Sequence, residues 1–127
     1  MAEHAVRFGR TAPTVPVSDV ARALEFYCGL LGMEKTFENG DPVGFVILVR
    51  DRAEVHLTLS PGHKGTTTNV LHLLVDDADA LFQHLETGGA RIIKGLRDQK
   101  YNLRDFIVAD PDGNRLDVGQ QLNRNSG

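Results

Sequence analysis

Apolar positions change their period along this chain, and the changes mark out elements. A polar lead-in over residues 1–11 gives way to Thr14, Val15, Pro16 and Val17, a short strand whose proline suits an edge or a bulge. From Val20 the apolar side chains fall at Val20, Ala23, Leu24, Tyr27, Cys28 and Leu31, one face of an α-helix with Asp19 or Ser18 as N-cap and Gly32 as terminator. Two apolar runs, Phe45 to Val49 and Val55 to Leu59, flank the polar Arg50, Asp51 and Arg52 and predict a hairpin. Ser60 to Asn69, with two glycines, one proline and three threonines, reads as a linker.

The pattern then recurs. Val70 to Val75 predicts a strand, Asp77 an N-cap, and Ala78, Leu81, Phe82 and Leu85 a helical stripe ending at Gly88 and Gly89. The last hairpin, Phe106 to Val118, turns at Asp110-Pro111-Asp112-Gly113. A shift of 58 places Val17, Asp19 and Val20 on Val75, Asp77 and Ala78, and a shift of 61 places Phe45 through His56 on Phe106 through Asp117. That is an internal duplication. Two copies of strand, helix and three strands predict an α+β fold of two βαβββ modules, about 12–59 and 70–120, joined by 60–69 into one domain over residues 1–127. Their curved sheets would enclose a cleft, the default place for a ligand.

Composition narrows the function. At 127 residues the chain can bury a core without disulfides, and the lone Cys28, on the helical stripe, is expected as a buried small side chain. Fourteen Lys and Arg stand against seventeen Asp and Glu, scattered along the chain, which argues against nucleic-acid binding. No apolar run approaches the ~20 residues of a membrane span, and the lead-in is too polar for a secretory signal, so a cytoplasmic protein with no membrane partner is expected.

Val17, Asp19, a helix ending in Phe26, Tyr27 and Leu30 to Gly32, and much later Asp110-Pro111-Asp112-Gly113-Asn114 follow one another in an order that resembles the vicinal oxygen chelate superfamily over nearly the whole chain. That superfamily includes glyoxalases, bleomycin-resistance proteins and extradiol dioxygenases. In its metal-using members the cleft holds a divalent ion, bound by one residue on the first strand and one on the last strand of each module. The resemblance assigns those positions to Ala12, Val70, His56 and Asp117. Ala12 and Val70 have no lone pair to offer, so no metal is expected. The alternative uses His72, two residues from Val70 and on the same strand face about 7 Å further along, to complete a 2-His-1-carboxylate set with His56 and Asp117 for Zn, Ni, Mn or Fe.

The remaining candidates weigh less. His4, His63 and His84 are expected to face solvent. Tyr101 and Arg104, from the segment Gly95 to Arg104 before the last hairpin, would bring an aromatic face and an anion partner over the cleft. Apolar lining is expected from Phe45, Ile47, Phe106 and Val108.

The resemblance is closest to the metal-free bleomycin-resistance-like members, which implies a homodimer sequestering an antibiotic-like small molecule. The ligand would touch His56, Asp117, His72, Tyr101, Arg104, Phe45 and Phe106. The alternative is a metal-dependent lyase, isomerase or dioxygenase using His56, His72 and Asp117.

Overall fold

The structure, a computed structural model, describes residues 5–122. Its elements are β1 (Thr14–Val17), α1 (Val20–Leu24, continued by a π-helical segment Glu25–Leu30), β2 (Glu34–Asn39), β3 (Phe45–Arg50) and β4 (Ala53–Leu59), then β5 (Asn69–Leu74), α2 (Ala78–Thr87), β6 (Arg91–Asp98), β7 (Leu103–Ala109) and β8 (Arg115–Gln121). They form two four-stranded sheets of identical plan, β1-β4-β3-β2 and β5-β8-β7-β6. In each sheet the module's first strand runs parallel to its last, and the other neighbours are antiparallel.

Both helices begin where the sequence places them, at an Asp whose carboxylate accepts a backbone N–H three residues on: Asp19 from Arg22 and Asp77 from Ala80, both at 3.0 Å. The first helix departs from the expected α-form. Its last turn widens, the Leu31 N–H donating to Phe26 O five residues back at 2.9 Å. The wide turn lets the adjacent Phe26 and Tyr27 both enter the core, edge to face with centroids 5.0 Å apart. Strand β2 had no apolar alternation to reveal it, since all six residues are exposed along the sheet edge.

One core serves both modules. The helix-facing side of the first sheet contributes Val15, Val17, Val46, Leu48 and Leu57, that of the second Phe106, Val108, Leu116 and Val118, and the helices fill the space with Phe26, Tyr27, Ala78 and Leu85. By strand alternation the opposite faces point away from this core, carrying Thr14, Phe45, Ile47 and His56 on one sheet and His72, Asp105, Ile107 and Asp117 on the other.

Register corrects the expected alignment of the two copies. Thr14 pairs with His56 and His72 with Asp117, so the shifts of 58 and 61 hold for the first and last strands of each module. Ile47 pairs with His56, however, and Ile107 with Asp117, which relates β3 to β7 by a shift of 60. The cause is the turn. Beyond the equivalent pairs Val49–Glu54 and Ala109–Arg115 the chain reverses in four residues in the first module and in five in the second. One residue flips every side chain of a strand to the other face. Phe106, expected in the cleft, therefore lies in the core against Phe82 (centroids 5.2 Å), as does Val108, and Asp105 occupies the place equivalent to Phe45.

The five-residue turn also fastens the modules. Asp110, 4 % exposed, accepts from the Tyr27 hydroxyl (2.8 Å) and Asn114 Nδ2 (2.8 Å) on one oxygen, and from the backbone N–H groups of Asp112 and Asn114 (both 2.9 Å) on the other. Asn114 Nδ2 also donates to Pro16 O at 2.8 Å, and Asp112 bonds the Ser18 hydroxyl and backbone N–H. Burial, and then the Asp110 charge beside it, raise the Tyr27 hydroxyl well above its ordinary pKa, so it stays a donor.

Candidate functional site

The two sheet faces turned away from the core carry the chemistry, and they differ. On the first, Phe45 stands between Phe37 and His56, with centroids 6.3 and 5.3 Å away, both edge to face. Phe37 is 49 % exposed, and Phe45 and Ile47 are half-buried, so the face is an open aromatic platform. His56 Nε2 lies 2.7 Å from Glu54 Oε2 on the same strand face. That hydrogen bond, and a second from Arg10, hold the Glu54 carboxyl below its ordinary pKa.

The second face is acidic. In the ladder Asp105 pairs with Gly119 and Asp117 with Ile107, which makes the two carboxyls diagonal neighbours on one face. Both are buried, at 5 % and 7 % exposure. The connection between β6 and β7 folds over them: Gln99 Nε2 donates to Asp105 Oδ1 at 2.8 Å, and the Tyr101 hydroxyl reaches Asp105 Oδ2 at 3.4 Å. His72 Nδ1 lies 3.1 Å from Asp117 Oδ2. Asp117 Oδ1 is buried with no hydrogen-bond partner among the described residues. Burial first, and then the neighbouring Asp105, push the Asp117 carboxyl up to about 6, against a downward pull from His72.

The candidates thus separate. His72, Asp117 and Tyr101 come together on the second module, while His56 and Phe45 come together on the first. Arg104 does not join either group. It alternates with Asp105, faces the helix side, and is held by Asp79 (2.7 Å) and Asp98 (3.0 Å). Asp105 and Gln99 escaped the sequence reading; counting five residues in the second turn against four in the first would have exposed Asp105. Cys28 is partly buried against the core, and burial raises its thiol pKa.

Two histidines expected to face solvent have structural partners. His63 Nε2 lies 2.7 Å from Asn114 Oδ1, and His84 Nε2 lies 2.9 Å from Leu30 O, where it ties α2 to the first helix. His4 lies outside the described residues.

The donors do not fit a closed metal site. Val70 falls at a register irregularity of β5, Ala12 precedes β1, and Thr14 takes the place equivalent to His72. His72 and Asp117 make two donors, His56 belongs to the other module, and no group of three His, Cys, Asp or Glu side chains suited to a metal occurs among the described residues. Two grooves, of about 810 and 580 Å³, lie between the modules, the larger lined by Tyr27, Leu31, Leu71 and Leu81 and the smaller by Arg22, Lys64, Arg91 and Arg115. Neither is lined by Phe45, His56, His72, Asp105 or Asp117.

Comparison with known proteins agrees with this architecture. The bleomycin resistance protein of Geobacillus stearothermophilus is 28 % identical over 131 residues, covering 89 % of this chain and 97 % of its own. A superfamily member from Sphaerobacter thermophilus superposes with a TM-score of 0.74 at 27 % identity, covering 87 % of this chain and 94 % of its own. The bleomycin resistance determinant encoded on transposon Tn5 shares the fold with a TM-score of 0.77 at 22 % identity, covering 90 % of this chain and 98 % of its own. The family model described as the glyoxalase/bleomycin resistance protein/dioxygenase superfamily matches residues 6–118, and the chain belongs to that family.

Proposed function

We propose that this protein binds an antibiotic-like small molecule on its open sheet faces and acts by sequestration, without a metal. The observation that carries the reading is the exposed aromatic platform, Phe37–Phe45–His56, on the open face of the first sheet. Such a surface holds a flat apolar group by stacking and a polar group by hydrogen bonds, the usual division of labour in small-molecule sites. The Geobacillus relative named a bleomycin resistance protein supports the ligand class.

A homodimer suits the same surface. Phe37, Leu74 and Tyr101, at 49, 66 and 62 % exposure, are large apolar groups left uncovered on or beside these faces, and a second copy laid across them would close the cleft. No helix among the described residues is long and apolar enough to cross a membrane, which is compatible with a cytoplasmic role.

Titration calorimetry with bleomycin tests the proposal. Wild type is expected to bind at micromolar or lower Kd, and Phe45→Ala to bind at least tenfold more weakly. Absence of heat with bleomycin and related drugs would overturn the binder reading. Near-stoichiometric metal by elemental analysis, lost in His72→Ala, would overturn the metal-free reading in favour of a metal-dependent enzyme using His72, Asp117 and a third ligand.

A further inference from the structure

The smaller groove between the modules gathers positive charge in a chain whose formal net charge is −3. Four cations line it, each from a different element: Arg22 from α1, Lys64 from the linker, Arg91 from the start of β6 and Arg115 from the start of β8. Two of the three carboxylates in the same wall are already committed. Asp110 is filled by the four donors described above, and Asp112 takes the Ser18 hydroxyl, the Ser18 N–H at 3.0 Å and Arg22 at 3.2 Å. Among the described residues no carboxylate pairs with Lys64, Arg91 or Arg115, which leaves three cations against one uncommitted acid, Glu25.

Strand register sets two of these cations side by side. Arg91 pairs with Ala109 and Ala109 with Arg115, so the three stand in one row across β6, β7 and β8 with their side chains on one face. Two strand spacings of about 4.8 Å put the arginine backbones about 10 Å apart, with only a methyl group between them. The linker is tied to the same spot. The Thr66 N–H donates to Gly113 O at 3.2 Å, the Arg115 N–H donates to Thr66 Oγ1 at 3.1 Å, and Gly65 lies so close to the turn that a Cβ would stand 2.6 Å from Asp112 O. Lys64 and Arg115 are thus carried on backbone segments fastened together before any ligand arrives, which lowers the ordering cost of binding. Phe26 and Leu30 add an apolar wall beside the cations.

We propose that this groove is a second binding site, for a phosphorylated small molecule whose phosphate lies between Arg91 and Arg115 and whose organic part rests against Phe26 and Leu30. A guanidinium meets a phosphate through two parallel N–H···O bonds, and a dianion offers oxygens to both arginines and to Lys64. A single carboxylate would serve one arginine and leave the other unpaired. The volume of about 580 Å³ lies within the ~300–1,000 Å³ of small-molecule pockets. The site stands independently of the open-face reading, since neither Phe45 nor His56 lines the groove.

The test is a 15N-amide NMR titration of the full chain at pH 7.5 in 150 mM NaCl with phenyl phosphate, a dianion at that pH, and with benzyl alcohol and benzoate as neutral and singly charged counterparts. Phenyl phosphate is expected to shift the amides of Thr66, Arg91, Gly113 and Arg115 and to bind at least tenfold more tightly than either counterpart. Arg91→Gln and Arg115→Gln should each weaken it at least fivefold, with folding checked from the amide spectrum. Lys94→Gln, which removes a charge from β6 outside the groove, should change it less than twofold. Benzoate or benzyl alcohol bound as tightly, or shifts confined to Phe37, Phe45 and His56, would overturn the proposal. So would loss of all binding at this salt concentration or equal weakening by the three substitutions, either of which would mean diffuse surface charge rather than a site.

Discussion

Module one and module two fold by the same plan and present opposite chemistry on their open faces. The first sheet places Thr14, Phe45 and His56 there, and the second, at equivalent positions, His72, Asp105 and Asp117. On the core side the copies agree, with aliphatic and aromatic residues packed on a helix in each. The contrast has a physical basis. Core positions are constrained by volume and by exclusion of unpaired polar groups, whereas an open face contributes little to packing and is free to change. Duplication thus supplied two scaffolds, and a one-residue difference in turn length gave one of them a carboxylate where the other has a ring.

The largest effect should come from exchanging roles at that offset. Phe106→Ala removes a ring that is 1 % exposed and stacked on Phe82, and should cost about 3–5 kcal/mol of stability in urea unfolding, with little direct effect on ligand affinity. Phe45→Ala removes a half-buried ring from the aromatic platform, and should cost about 1 kcal/mol or less while abolishing most ligand binding. If the two substitutions cost the same, the register assigned to β7 is wrong.

Next in size is the fastening between the modules. Tyr27→Phe keeps the ring in the core and removes the donor to the buried Asp110 carboxylate, which should cost about 1.5–3 kcal/mol by thermal or urea unfolding. The first module's turn, Arg50 to Ala53, carries no such buried carboxylate, so Asp51→Asn, which keeps a side chain tolerated at this left-handed position (φ 52°), should fall within about 0.5 kcal/mol of wild type.

These residues also explain what could be read in advance. Phe26, Tyr27 and the Asp110–Asn114 turn, which carried the family resemblance, turn out to bond one another across the modules. They report the fold and are silent about the ligand. The helices were legible because Asp19, Asp77 and the glycines after them fix their ends. Strand β2 was not, because its sequence EKTFEN lies wholly exposed at a sheet edge. The acidic pair was half legible: Asp117 and His72 were found by counting along the chain, but Asp105 depends on strand register, which a two-fold repeat in sequence sets only to within the length of a turn.

A smaller effect separates the modules by pH. The folded value of about 6 for Asp117 lies above the ~3.9 of an unfolded Asp, so folding takes up a proton at this group. Its contribution to stability is full below about pH 4 and is lost as pH rises through 6. Urea unfolding at pH 4.5 and 7.5 should show wild type losing on the order of 1 kcal/mol relative to Asp117→Asn, after allowance for solvent screening.

Arg104 gives the smallest effect and the sharpest test of which face matters. It sits one residue from Asp105, yet strand alternation turns it to the helix side, where Asp79 of α2 and Asp98 of β6 hold it at 2.7 and 3.0 Å. Both partners are exposed, at 61 and 42 %, so the pairs are screened and Arg104→Ala should cost no more than about 1 kcal/mol, less in high salt. Ligand affinity should not change in calorimetry, because the guanidinium points away from the open face of the sheet. A loss of affinity comparable to that of Asp105→Asn would mean that the ligand wraps around the strand edge, and that the division between an inert helix side and a functional open side does not hold in the second module.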